Sequence, residues 1–333
     1  MSARFDHDDE LPRAFPDDVH DWQENIFFSW FDVDQGIGGV HRIGQWPNQA
    51  IGNYWSGIVT DAGKRFRRFD LAVPLTDADR DKGISVGPYR NRYDGDIHLS
   101  ISEPEASGEL RFTDYHDPVR YWGAHEDLSL SREFAADHYE ASGRVRGTVT
   151  LDGDTYEVDG FGHRDHSWGP RKVDTLICHR WLAGSVGPQL SWSVIAWLSK
   201  DGELLTRGYV VRDGVQTMAD SVDLIPFCEP DGITHRGGWG QLHLPGEQPL
   251  TIRADYVDGL MFGLGPEEPD NAPAYYGLNG LCRANIAGQP VGFTNFEMSN
   301  NARQGRAIPP VALRATQQDG LSINTAPRPV VPF

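Results

Sequence analysis

"GRVRGTVTLDGDTYEVDGFG", residues 143–162, decides the fold. Val145, Thr148 and Val149 lead to Leu151, Asp152-Gly153-Asp154 turns the chain, and Tyr156 and Val158 continue beyond it. An Asp-Gly pair between two β-prone runs is a hairpin signal, because the tight turn that matches strand twist needs residues tolerant of positive φ. The device returns at Lys200-Asp201-Gly202 and Arg212-Asp213-Gly214 within "LSWSVIAWLSKDGELLTRGYVVRDGVQT" (190–217), and "GWGQLHLPGEQPLTIRADYVDG" (238–259) has the same rhythm. With 37 Gly and 22 Pro spread along the chain, few windows hold apolar residues at helical spacing. The expected class is all-β, a meander of antiparallel strands forming barrels or sandwiches. Short helices are expected only at 77–83 and at the start of 131–143, which turns to strand character at His138-Tyr139. Residues 267–276 read as a polar loop and the proline-rich tail 324–333 as an extended terminus.

The chain has 333 residues, enough for two ordinary domains whose cores need no disulfide or metal. Each half closes its meander in a Gly-rich strand pair, so the division expected is 1–170 and 171–333. Its 10 Trp, 11 Tyr and 15 Phe supply ample apolar surface and argue against disorder. Cys178, Cys228 and Cys282 are far apart with no CxxC pairing, which supports neither a disulfide framework nor a zinc ribbon and fits a reducing cytoplasm. No run of apolar residues reaches membrane-span length, and a formal charge of −18 repels phosphate backbones. Nucleic acid is therefore not an expected partner, and the oligomeric state is open.

Immediately after the hairpin, "DGFGHRDHSWGPR" (159–171) crowds two His, two Arg, two Asp and a Trp between glycines. On a strand, His163, Asp165 and Ser167 would face one side and Arg164, His166 and Trp168 the other. One reading is acid–base catalysis, with Asp165 or His166 transferring the proton, Arg164 or Arg171 holding a carboxylate, and Trp168 lining an apolar cavity. The other reading is a structural Arg–Asp pair with a hydrogen-bonded His. Metal is not expected: His163 and His166 would point to opposite faces, and His179 lies farther along. Ser167 sits in no nucleophile elbow, and "GIGG" (36–39) makes no dinucleotide loop, so no cofactor is expected. Trp181 and Trp192 are sheet core or ligand cage, Tyr276 a loop anchor or site residue, and Glu297 a surface group or second buried acid.

"HYEASGRVRGTVTLDGDTYEVDGFGHRDHSWGPR" (138–171) resembles the tandem lipocalin-like proteins of the carotenoid 1,2-hydratase and AttH-like group, as does "ENIFFSWFDVDQGIGGVHRIGQWPN" (24–48). The resemblance implies two calycin-like β domains with a ligand cavity near their junction. It also implies chemistry of the kind done by isoprenoid hydratases and cofactor-free polyene cyclases. The His-x-Trp pair implicated in those hydratases matches His166 and Trp168, whereas their later Tyr-x-Asp has no counterpart in "LSWSVIAW" (190–197).

The expected function is a cofactor-independent lyase or isomerase acting on a hydrophobic isoprenoid or aromatic small molecule, most simply by hydration or dehydration. Asp165, His166, Arg164 and Arg171 are the catalytic candidates, and Trp168, His163, Trp181, Trp192, Tyr276 and Glu297 the substrate-binding ones. Carbon–carbon cleavage or cyclisation in the same pocket is a variant. The rival is a non-catalytic lipocalin-like carrier of an apolar ligand.

Overall fold

The computed structural model describes residues 7–120, 135–171, 176–199, 201–229, 234–264 and 275–301. The chain divides into two compact units, 1–171 and 172–333. Unit 1 contains β1 (Trp22–Asp32), β2 (Ile37–Trp46), β3 (Ile51–Thr60), β4 (Arg65–Pro74), β5 (Tyr89–Tyr93), β6 (Ile97–Ser102), β7 (Ala106–Asp114), β8 (Val119–Arg120), β9 (Asp137–Leu151) and β10 (Asp154–Pro170). They form one antiparallel sheet in the order β4-β3-β2-β1-β10-β9-β7-β6-β5, with β8 on β9. The first strand pairs with the last, as in an up-and-down barrel, and the sheet's edges fall at β4 and β5 rather than at the chain ends.

Unit 2 repeats the plan with β11 (Leu176–Gly187), β12 (Leu190–Ser199), β13 (Leu204–Arg212), β14 (Val215–Met218), β15 (Ser221–Cys228), β16 (His235–His243), β17 (Leu250–Leu264), β18 (Tyr275–Asn285) and β19 (Gly292–Asn301). Their order is β14-β13-β12-β11-β19-β18-β17-β16-β15, so β11 meets β19 as β1 meets β10. The architecture is all-β, as the strand rhythm leads one to expect, and tandem lipocalin-like, as the family resemblance implies.

The deciding stretch folds as read. Asp152 (φ 50°) and Gly153 (φ 84°) turn β9 into β10, and Asp213 (φ 48°) and Gly214 (φ 78°) turn β13 into β14. The expected helix at 77–83 is a 3₁₀ turn, Asp77–Arg80, held by a capping box between Thr76 and Asp79. The stretch 131–143 is strand from Asp137 onward, because its alternation pairs with β10 in register. Residues 131–134, 267–274 and 324–333 lie outside the described residues. No helix among the described residues is long and apolar enough to cross a membrane.

Each unit has its own apolar core. In unit 1, Ile26, Phe28, Trp30, Ile43, Leu110, Phe112 and Val145 cluster, and in unit 2, Leu182, Trp192, Val194, Leu224, Ile252 and Phe296. Burying each such large side chain is worth about 1.5–3 kcal/mol. The central strand β1 is buried at every position, so its second face is covered too, and there the side chains are largely polar. Those polar groups find one another: Arg42 donates to Asn53 Oδ1 at 2.8 Å and to Asn25 Oδ1.

Candidate functional site

Strand period two splits the "GHRDHSWG" run onto two faces, and register decides what each side chain meets. On the core face, Ile26, His166 and Tyr139 stand abreast on β1, β10 and β9. His166 is fully buried, its Nε2 2.8 Å from Glu24 Oε1 and its Nδ1 2.5 Å from the Tyr139 hydroxyl. Burial alone would push the Glu24 carboxyl up, but His166, Arg80 and the Arg13 backbone N–H hold it below the usual value. Arg164 donates to both oxygens of Asp114, at 2.9 and 2.6 Å, and lies 2.6 Å from Glu10 Oε1. Trp168 stands edge-on to His166 and beneath the Arg13 guanidinium, 4.1 Å from its ring centre. Both imidazole nitrogens are thus engaged, and the cluster ties the segment His7–Arg13 to the sheet.

The opposite face of β10 is different. Across it run rungs set by the ladder: Glu140, Asp165, Phe27, Arg42 and Trp55 in one, and Ser142, His163 and Ser29 in the next. Glu140 is fully buried between two imidazoles, 3.2 Å from His138 Nε2 and 3.1 Å from His163 Nε2. Desolvation would raise its pKa, but hydrogen bonds and positive charge from His138 and His163 hold it at about 2. His138 is raised in turn, the Glu140 carboxylate outweighing the cost of burial. His163 Nδ1 is 2.9 Å from the Ser142 hydroxyl.

Asp165 is the exception on this face. Its side chain keeps 17% exposure, and its nearest cation is His138 Nε2 at 3.9 Å. Burial pushes its carboxyl up and outweighs the pull of His138, with a smaller push from the Glu140 charge set against Arg171 and Arg42. The result is a carboxyl raised above its ordinary value beside one held below it, with the Phe27 and Trp55 rings, 5.8 Å apart and edge-on, farther along the rung.

The structure therefore divides the sequence-derived candidates. Asp165, His163 and Arg171 belong with one face, Arg171 donating to Ser167 at 3.0 Å, while Arg164, His166 and Trp168 belong to the other. The carboxylates that Arg164 holds are those of Asp114 and Glu10, and not that of Asp165, because adjacent strand residues point oppositely. Trp181, Trp192, Tyr276 and Glu297 lie in unit 2. Trp192 is fully buried in the apolar core, and Trp181 donates to Ser193 at 2.8 Å. Glu297 is a buried acid, 3.1 Å from His179 and bonded by Ser299, not a surface group. Tyr276 is in β18 opposite Gly263 and Asn300, its side chain outside the described residues.

The sequence reading missed Glu140, His138, Ser142 and Arg42, and on the core face Glu24, Tyr139 and Glu10. The alternation of "DHYEAS" (137–142) was the available signal, since it places His138, Glu140 and Ser142 on one face. Among the described residues, no group of His, Cys, Asp and Glu has the geometry to hold a metal ion. A narrow cavity lined by Phe28, Ser29, Trp30, Leu99, Leu110, Phe112 and Val145 lies in the unit 1 core, too small for a substrate.

Comparison with known proteins adds the fold's relatives. The structure is similar to a protein of Nitrosomonas europaea assigned as AttH, with TM-score 0.62 and 13% identity over 90% of this chain and 97% of that one. It is similar to CghA solved with Sch210972, with TM-score 0.59 and 13% identity over 85% and 89%. A third likeness is to kievitone hydratase from Nectria haematococca, with TM-score 0.56 and 9% identity over 84% and 89%. At these identities the likeness shows the fold, which is the tandem lipocalin-like one that the two sequence segments resemble. No curated protein sequence matches the chain. Residues 6–302 match the model of one family, and the chain belongs to it: the domain of unknown function DUF7064.

Proposed function

We propose that the chain is a cofactor-independent lyase of the hydratase or dehydratase type, acting on a hydrophobic isoprenoid or aromatic small molecule, with Asp165 as the general acid. One observation carries the reading: the Asp165 carboxyl retains partial exposure and a raised pKa beside the ionised Glu140. The names of two fold relatives, kievitone hydratase and CghA solved with a small molecule, support it.

In the hydration direction the Asp165 carboxylic acid gives its proton to an alkene carbon, leaving an electron-poor centre. Water adds to that centre, and the proton it sheds returns to the Asp165 carboxylate, so no cofactor is consumed. Dehydration is the reverse: Asp165 protonates the hydroxyl, the C–O bond breaks, and the adjacent C–H proton returns to the carboxylate. The fixed Glu140 charge and the Phe27 and Trp55 rings would stabilise the positive intermediate. His138 and His163 keep Glu140 ionised and oriented.

The test is a mass-spectrometric screen of wild type and Asp165→Asn against isoprenoid alcohols, polyenes and phenolic aromatics, with and without a chelator. Gain or loss of one water by wild type, insensitive to chelator and reduced about 10²–10⁴-fold in the variant, is the expected result. Retention of a compound by both proteins with no mass change would establish the carrier instead.

A further inference from the structure

Unit 2 carries a second polar face on which the Asp165 chemistry does not depend. On β11, Leu182 and Val186 enter the apolar core, so His179, Trp181, Ala183 and Ser185 face the other way. Register adds Asn295, Glu297 and Ser299 of β19, Asn279 and Gly277 of β18, and Ser193 of β12 to that face. Most of its groups are matched. Glu297 takes His179 and Ser299, and Trp181 takes Ser193.

Asn279 and Asn295 are matched only to each other. Both have no exposed surface, and Asn295 Nδ2 donates to Asn279 Oδ1 at 3.0 Å. Asn279 Nδ2 and Asn295 Oδ1 find no partner among the described residues. A buried amide donor and acceptor left open is costly, and native folds keep such groups where something else completes them. Exchanging oxygen and nitrogen in both side chains keeps their mutual bond and again leaves one donor and one acceptor.

The open pair has the complement of a planar group with a carbonyl and an N–H on one carbon. An ester offers two acceptors and no donor. A carboxylate does the same and adds a negative charge beside Glu297, the ladder partner of Asn279. Small residues flank the pair: Gly277 precedes Asn279 on the same face, and Ala183 stands opposite Asn295. A Cβ at Gly277 would come within 3.1 Å of Glu297 Oε1 and Ser299 Oγ, so the glycine keeps that ground clear.

We propose that unit 2 binds the carboxamide or lactam group of a small molecule through a two-point hydrogen bond to the Asn279–Asn295 pair. Recognition at this pair is separate from proton transfer at Asp165, and binding can be read without turnover.

The experiment uses the full chain and benzamide as probe, with N,N-dimethylbenzamide and methyl benzoate as analogues that lack the donor. Binding is followed by ligand-observed saturation-transfer NMR and titration. Wild type is expected to bind benzamide at least tenfold more tightly than either analogue. Asn279→Leu and Asn295→Leu should each weaken benzamide at least tenfold and lower the thermal midpoint modestly while remaining folded, since each removes one open polar atom but leaves its partner's bonded atom unpaired. Asn279→Asp keeps the acceptor for Asn295 and, once ionised, loses the outward donor, so at pH 8 the folded variant should lose benzamide, with a thermal midpoint lowered by the new charge beside Glu297. Equal binding of benzamide and its analogues, no benzamide binding by folded wild type, or wild-type affinity in Asn279→Asp would overturn the assignment.

Discussion

Two carboxyls stand abreast on one rung, Glu140 and Asp165, and their surroundings drive them apart. Glu140 lies between imidazoles and titrates at about 2, below its ordinary 4.5, so it stabilises the fold above pH 4.5 and that contribution is lost as pH falls toward 2. The gap corresponds to roughly 3 kcal/mol for so buried a group. Asp165 has the opposite sign. Its folded pKa lies above the unfolded 3.8, so its contribution is present at low pH and lost as pH rises through the folded value. At pH 7, Asp165→Asn should therefore raise the urea midpoint, and Glu140→Gln should lower it and flatten the acid limb. Urea titrations from pH 2 to 8 check both signs; a drop in midpoint for Asp165→Asn would remove the argument that its proton is held by the fold.

β10 shows how much of the site could be read from a strand and how much depended on its neighbours. The separation of His163 and Asp165 from Arg164, His166 and Trp168 follows from period two and was legible in the sequence. What each face meets was not, because Glu140 comes from the neighbouring strand β9 and Glu24 from a strand 142 residues before His166. Such pairings are set by register between distant segments, which composition does not encode. The core-face cluster acts as a latch at this scale. Arg164→Met would leave Glu10, 2% exposed, without its guanidinium, and should cost about 3–5 kcal/mol and speed amide exchange in His7–Arg13. Arg171→Met, which loses a hydrogen bond to the Ser167 hydroxyl from a partly buried side chain, should cost under about 1 kcal/mol. Urea denaturation and hydrogen exchange of the two variants compare them directly, and equal losses would refute the latch.

At the scale of the whole molecule, the chain lays down the same sheet order twice, and the hairpins that announce it are the most local features of the sequence: Asp152-Gly153 and Asp213-Gly214 close two-residue turns. The edges at β4 and β5, and at β14 and β15, left no such mark, because an edge is defined by a neighbour that is missing. The cysteines give a reporter on the finished fold. All three lie in unit 2 and none is in a disulfide: Cys178 and Cys282 are buried, and Cys228 is partly exposed beside Met298. Burial pushes the Cys282 thiol well above its ordinary range, which starves it of the reactive thiolate. A thiol titration without reductant should count one fast-reacting group per native chain, Cys228, and three per chain in guanidinium. Fast native modification of Cys282, located by peptide mapping, would contradict the packing of β18 against the unit 2 core, where its side chain has no exposed surface.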